Sequence, residues 1–115
     1  MSTLDESPAI GPMQLLLAAL GGCTGMDIAV ILKKKHLDLT DLKVKVRGKR
    51  AEDYPMIWTE IEVTYLLWGN DLNKKDVEQA IALSEEKYCS VGIMLEKAAA
   101  VRSNYRILKP GEKPE

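Results

Sequence analysis

From Pro12 onward the chain stays apolar for two dozen residues. The stretch "LLLAALGGCTGMDIAVI" (15–31) places apolar side chains on every face of a 3.6-residue repeat. That pattern predicts a buried helix from Pro12 to about Lys35 rather than an amphipathic surface helix. Pro12 suits the first turn. Lys33, Lys34, Lys35 and His36 gather at the far end, where cations complement the helix dipole. The period then shortens to two. In "LKVKVRGKR" (42–50), Leu42, Val44 and Val46 alternate with Lys43, Lys45 and Arg47, the mark of a strand with one wet face. After a loop, "IWTEIEVTYLLW" (57–68) reads as a second strand. Its Glu60 and Glu62 suit the basic face of the first strand across a hairpin. "GNDLN" (69–73) is a turn, and Asn73 is placed to cap a helix ending near Lys87. On that helix Val77, Ala80, Ile81 and Ser84 share a stripe. "YCSVGIMLEKAA" (88–99) predicts a short helix capped by Ser90, and "AVRSNYRIL" (100–108) a third strand.

This order defines one α+β domain over residues 1–115, with 1–11 an N-terminal loop and 109–115 a solvated tail. The expected architecture is a long central helix on a small antiparallel sheet. Three strands cannot cover a helix that is apolar all round. A homodimer that buries the helix is the economical solution, because exposed apolar patches and bare strand edges promote association.

Length and charge narrow the function. A chain of 115 residues with 16 basic and 17 acidic side chains has a modest core and no electrostatic footprint for nucleic acid or an anionic membrane. The opening apolar run is not expected to be a signal peptide or an anchor. Asp5 and Glu6 stand where a signal peptide needs basic residues, and Asp27 with the glycine cluster interrupts a membrane-spanning length. A cytoplasmic location is therefore expected. Two cysteines are too few for a disulfide framework and fit buried thiols or a redox pair in a reducing compartment.

The chemistry-bearing residues concentrate in the central helix. Gly21, Gly22 and Gly25 each cost about 1 kcal/mol relative to alanine in a helix interior. Gly21 and Gly25 share a face, which serves close packing or leaves room around Cys23. Cys23 lies mid-helix. Cys89 lies at a helix start, where backbone N–H groups favour a thiolate, so position alone makes Cys89 the more acidic thiol. Asp27, one turn beyond Cys23, would raise a neighbouring thiol's pKa and reads as a helix-break or interface residue. His36 reads as a solvated terminal residue. No spacing suggests a metal site or a phosphate loop, so neither metal nor cofactor is expected.

Together, "GPMQLLLAALGGCTGMDIAVILKK" (11–34), the two strands after it and "LSEEKYCSVGIML" (83–95) resemble the OsmC/Ohr family of osmotically inducible and organic-hydroperoxide-resistance proteins. The resemblance runs from about Gly11 to Leu108 and is to its OsmC-like members. It implies an OsmC-like α/β sandwich forming an intertwined homodimer with the long helix at its centre. It also implies a thiol-dependent peroxidase. Cys23 would attack an organic hydroperoxide and become a sulfenic acid, Cys89 would resolve it as a Cys23–Cys89 disulfide, and a dithiol or thioredoxin-like reductant would close the cycle. The alternatives are a non-catalytic dimeric protein that binds a small apolar ligand, and a slow redox sensor. Two departures from the peroxidases stand out. Their glutamate near the helix start has no counterpart in Pro12, Met13 or Gln14, and the chain begins after the N-terminal strands, one of which carries their activating arginine. Arg47, Arg50, Arg102 and Arg106 are the available substitutes.

Overall fold

A helix apolar on all sides must be gripped by several elements, and the first helix is. The computed structural model describes residues 11–113, so the expected loop at 1–11 lies almost wholly outside the described residues. Helix α1 (Pro12–Lys34) runs unbroken through the glycine cluster and Asp27, so of the two readings of Asp27, helix break or interface residue, the first does not hold. The neighbours on both sides supply the packing that weak helix formers lack. Its fully buried stripe is Leu20, Thr24, Ile28 and Leu32, spaced every four residues. Thr24 returns its hydroxyl to the Leu20 carbonyl at 3.0 Å, which allows a polar side chain in the core.

Strand β1 (Asp38–Arg50) and strand β2 (Trp58–Asn70) form the antiparallel hairpin that the alternation predicts, extended at its open end by the pairing of Asp38 with Asn70. Arg47 faces Glu62 in the register and pairs with it at 2.9 Å. The sheet is not antiparallel throughout. Strand β3 (Ala100–Leu108) pairs parallel to β2, in the order β1-β2-β3. This corrects the expected small antiparallel sheet. The intervening helices carry the chain back to the starting end of β2, as a parallel crossover requires.

That crossover begins with α2 (Lys74–Leu83), capped as expected by Asn73, whose side-chain oxygen accepts from the Asp76 N–H at 2.8 Å. Lys35, just past α1, ties to Asp76 at 3.3 Å and also to Gln79. The helix does not run on regularly to Lys87. Residues Ser84–Tyr88 form a π turn, closed by the Cys89 N–H on the Ser84 carbonyl at 2.7 Å. Helix α3 (Ser90–Glu96) follows, shorter than the expected 88–99. Its cap is Cys89, not Ser90: the Cys89 sulfur accepts from the Gly92 N–H at 3.2 Å.

The helices cover one face of the sheet. Ile61, Val63, Tyr65 and Leu67 from β2 join Leu20, Ile28 and Leu32 from α1 and Val77 and Ala80 from α2 in the main core. Gly21 and Gly25 set the separation of α1 from β1. A Cβ on Gly21 would meet Val46 at 3.2 Å, and one on Gly25 would meet Val44 at 3.3 Å. At either position an added methyl would require the facing valine to give by a few tenths of an ångström. The opposite sheet face carries a small second cluster, Leu66, Trp68 and Leu108. The Trp68 indole N–H donates to the Glu112 carbonyl, so the segment after β3 is anchored rather than simply solvated.

One face of α1 stays uncovered within the chain. Leu15, Leu16, Met26 and Val30 are exposed, Met26 by 72%. By length and composition this helix could cross a membrane. Here it lies against the sheet and the crossover helices.

Candidate functional site

Cys23 and Asp27 sit one turn apart on α1, beside its buried stripe, on the flank facing the π turn. A helix places residues i and i+4 one above the other, so both reach the same neighbour. That neighbour is the junction of the π turn with α3, where Cys89 lies fully buried. The two sulfurs and a carboxylate oxygen of Asp27 lie within 4.8 Å of one another. Residues 66 positions apart in sequence thus form one cluster, and both cysteines are free thiols.

Two further residues shape the cluster. The Ser84 hydroxyl, fully buried at the start of the π turn, donates to Asp27 Oδ2 at 2.9 Å. Asp27 therefore meets another element of its own chain. The extra residue of a π turn re-aims side chains, a device frequent at functional sites. Gly92 makes room for the second thiol, since a Cβ there would lie 3.3 Å from both the Cys89 sulfur and Leu20. The sequence pattern gives Ser84 a place on the α2 stripe but no partner, and gives Gly92 no signal at all. Both roles depend on what packs beside them.

Electrostatics separate the thiols. Burial pushes the Cys89 thiol up to about 12, with the neighbouring Cys23 and the Asp27 charge adding to the rise and the Gly92 N–H opposing it. The expectation that a helix start lowers the Cys89 pKa is therefore corrected. Desolvation of a thiolate outweighs one backbone N–H from a two-turn helix. Cys23 is only partly buried. Deeper in the core, Tyr65 donates to Glu85 Oε2 at 2.9 Å. Its phenol is pushed far above the ordinary range, first by burial and then by the Glu85 charge. Glu85 also accepts from the Ser103 hydroxyl at 3.1 Å. This pins the π turn to β2 and β3.

The four candidate arginines lie elsewhere. Val44 and Val46 face α1, so alternation turns Arg47 to the outer face, where it holds Glu62. On β3, Val101, Tyr105 and Ile107 pack on the core, so Arg102 and Arg106 face outward. Arg50 is held by the Met56 carbonyl at 2.7 Å and over the Trp58 ring. Trp58 in turn donates to the Met13 carbonyl at 2.9 Å. Arg50 is thus fixed near the start of α1, about 15 Å along the helix from Cys23 at 1.5 Å per residue. His36 is exposed, in a left-handed conformation with φ 59° at the end of α1.

A cleft of about 540 Å³ opens beside the cluster, lined by Met26, Asp27, Val30, Lys34 and Tyr88 among others. Its walls are mostly apolar, and Asp27, the neighbour of both thiols, lies in them.

The family model for OsmC-like protein matches residues 5–104. Protein YhfA of Escherichia coli strain K12 is 39% identical over 104 residues, covering 90% of this chain and 76% of YhfA. The crystal structure of a hypothetical protein from Aquifex aeolicus VF5 superposes with a TM-score of 0.85 at 37% identity, over 93% of this chain and 79% of that one. The organic hydroperoxide resistance protein OhrB of Bacillus subtilis shares the fold, with a TM-score of 0.64 at 17% identity, over 87% of this chain and 73% of OhrB.

Proposed function

The chain belongs to the OsmC-like protein family, and from that premise we propose that it is a thiol-dependent peroxidase of organic hydroperoxides. The observation that carries this reading is the meeting of the Cys23 and Cys89 sulfurs beside an apolar cleft. The Cys23 thiolate attacks the terminal oxygen of the hydroperoxide. The O–O bond breaks, the alkoxide leaves and takes up a proton as the alcohol, and Cys23 becomes a sulfenic acid. The Cys89 sulfur then attacks the Cys23 sulfur, the hydroxyl leaves as water, and a disulfide forms. A dithiol or thioredoxin-like protein returns both thiols and is itself oxidised. The difference in burial supports this division of labour. Cys23 is the more accessible sulfur, and Cys89 is held protonated and out of solvent until a sulfenic acid forms beside it. Such thiols persist in a reducing compartment such as the cytoplasm.

The direct test is consumption of cumene hydroperoxide by the reduced protein with dithiothreitol as reductant. Turnover to cumyl alcohol above the protein-free rate is expected, and a rate equal to that background overturns the reading.

The proposed assembly is a homodimer, intertwined around α1. Leu15, Leu16, Met26 and Val30 on its open face extend into a shallow groove between Ala18, Gly22 and Ala29 and the β1 side chains Leu42, Val44 and Val46. Contiguous apolar surface of this kind marks an interface. Light scattering at micromolar concentration is expected to give twice the chain mass, and Met26→Glu is expected to shift the population towards monomer. A wild-type protein that remains a folded monomer contradicts this assembly.

A further inference from the structure

The geometry points to the Cys23–Asp27–Cys89 cluster as a binding site for a single thiophilic divalent cation of the zinc class. Thiol redox chemistry needs two sulfurs; the carboxylate beside them adds a third donor and makes the group a metal-ligand set. Three side chains that are anionic when deprotonated lie within 4.8 Å of one another. With both thiols deprotonated such a group would repel itself. A divalent cation at the centre turns that repulsion into attraction.

The donor set selects the metal. Two sulfurs with one carboxylate oxygen suit zinc, which takes thiolate at about 2.3 Å and carboxylate at about 2.0–2.2 Å. Ligand atoms around a tetrahedral zinc then lie roughly 3.5–3.8 Å apart. The observed limit leaves about an ångström to close, within reach of side-chain rotation. The buried Ser84 hydroxyl holds Asp27 Oδ2 at 2.9 Å and so fixes the carboxylate beside the two sulfurs. A carboxylate or imidazole ligand fixed in this way by an outer hydrogen bond is usual at metal sites. The Asp27 carboxylate is reached from the cleft that it lines with Lys34, Leu83 and Tyr88. Lys35 at its rim is committed to Asp76 and Gln79.

The exchange is balanced without electron transfer. One M²⁺ binds, two S–M bonds replace two S–H bonds, and two protons pass to solvent. Both sulfurs are then withheld from peroxide and from each other. The site does not depend on the peroxidase reading, because the metal binds the reduced thiols whether or not they turn over.

The test is titration of the reduced, chelator-treated protein with Cd²⁺, followed by thiolate-to-metal charge-transfer absorption, and with Zn²⁺ in competition with a chromophoric chelator. One ion per chain is expected, with protection of both thiols from iodoacetamide that EDTA reverses. Cys23→Ser and Cys89→Ser are expected to lose the charge-transfer band of the two-sulfur site. Asp27→Asn, which can still accept from Ser84, is expected to weaken Zn²⁺ binding by about tenfold or more, with circular dichroism confirming that it folds. Unchanged affinity in Asp27→Asn, or no Cd²⁺ band in folded wild type, overturns the site. Protein that binds Zn²⁺ but, when reduced and metal-free, fails to consume cumene hydroperoxide overturns the peroxidase proposal and leaves the metal site standing.

Discussion

Cys23→Ser is expected to abolish hydroperoxide consumption, whereas Cys89→Ser is expected to retain one round of it. Reaction of Cys89→Ser with one equivalent of cumene hydroperoxide should yield an equivalent of cumyl alcohol and a sulfenic acid on Cys23, which further peroxide drives to the sulfinic acid. Wild type should yield the Cys23–Cys89 disulfide. The asymmetry has a physical origin. A thiol attacks as its thiolate, and the Cys89 thiolate is disfavoured by complete burial, with its pKa pushed up to about 12. Cys23 is only partly buried. Peptide mass spectrometry assigns the oxidised sulfur. Oxidation of Cys89 in Cys23→Ser, with alcohol released at the wild-type rate, reverses the two roles.

The second large effect concerns alkaline stability. In the unfolded chain Cys89 loses its proton near the ordinary thiol value of 9.0, whereas in the folded protein it holds the proton to about 12. Below the lower value both states are protonated, and the thiol makes no pH-dependent difference. Between the two, the folded state binds the extra proton, so stability falls as pH rises. Above the upper value the loss is complete and is on the order of a few kcal/mol. That is a large part of the stability of a small domain. The raised phenol of Tyr65 acts in the same direction at higher pH, so the thiol must be read by difference. Urea unfolding of reduced wild type and Cys89→Ser from pH 8 to 11 is the measurement. Wild type is expected to lose stability more steeply above about pH 9, and parallel curves contradict the buried-thiol assignment.

The position of Cys23 in a long apolar helix, the β1–β2 hairpin with its basic face against an acidic one, the Asn73 cap and the extent of β3 are all legible in the chain. Each follows from local periodicity, capping chemistry or cross-strand alternation, which operate over neighbours in sequence. The direction of β3 is not legible. Its alternation is the same whether it pairs parallel or antiparallel, and only the path of the crossover through α2, the π turn and α3 decides it. The π turn is equally hidden, because "LSEEKYCS" has good helix formers and no breaker, and it is pinned from outside by Tyr65 and Ser103 on Glu85.

The chemistry divides in the same way. The sequence by itself determined that two thiols and a carboxylate exist, that one thiol is mid-helix and that the other begins a helix. Only the tertiary structure decided that these three meet within 4.8 Å, that Ser84 holds Asp27, and that Gly92 opens the space for Cys89. It also overturned the expectation of an acidic Cys89. A helix N-terminus is a local feature that can be read from residue order. Desolvation is set by every element packed around the sulfur, and for Cys89 it is the larger of the two.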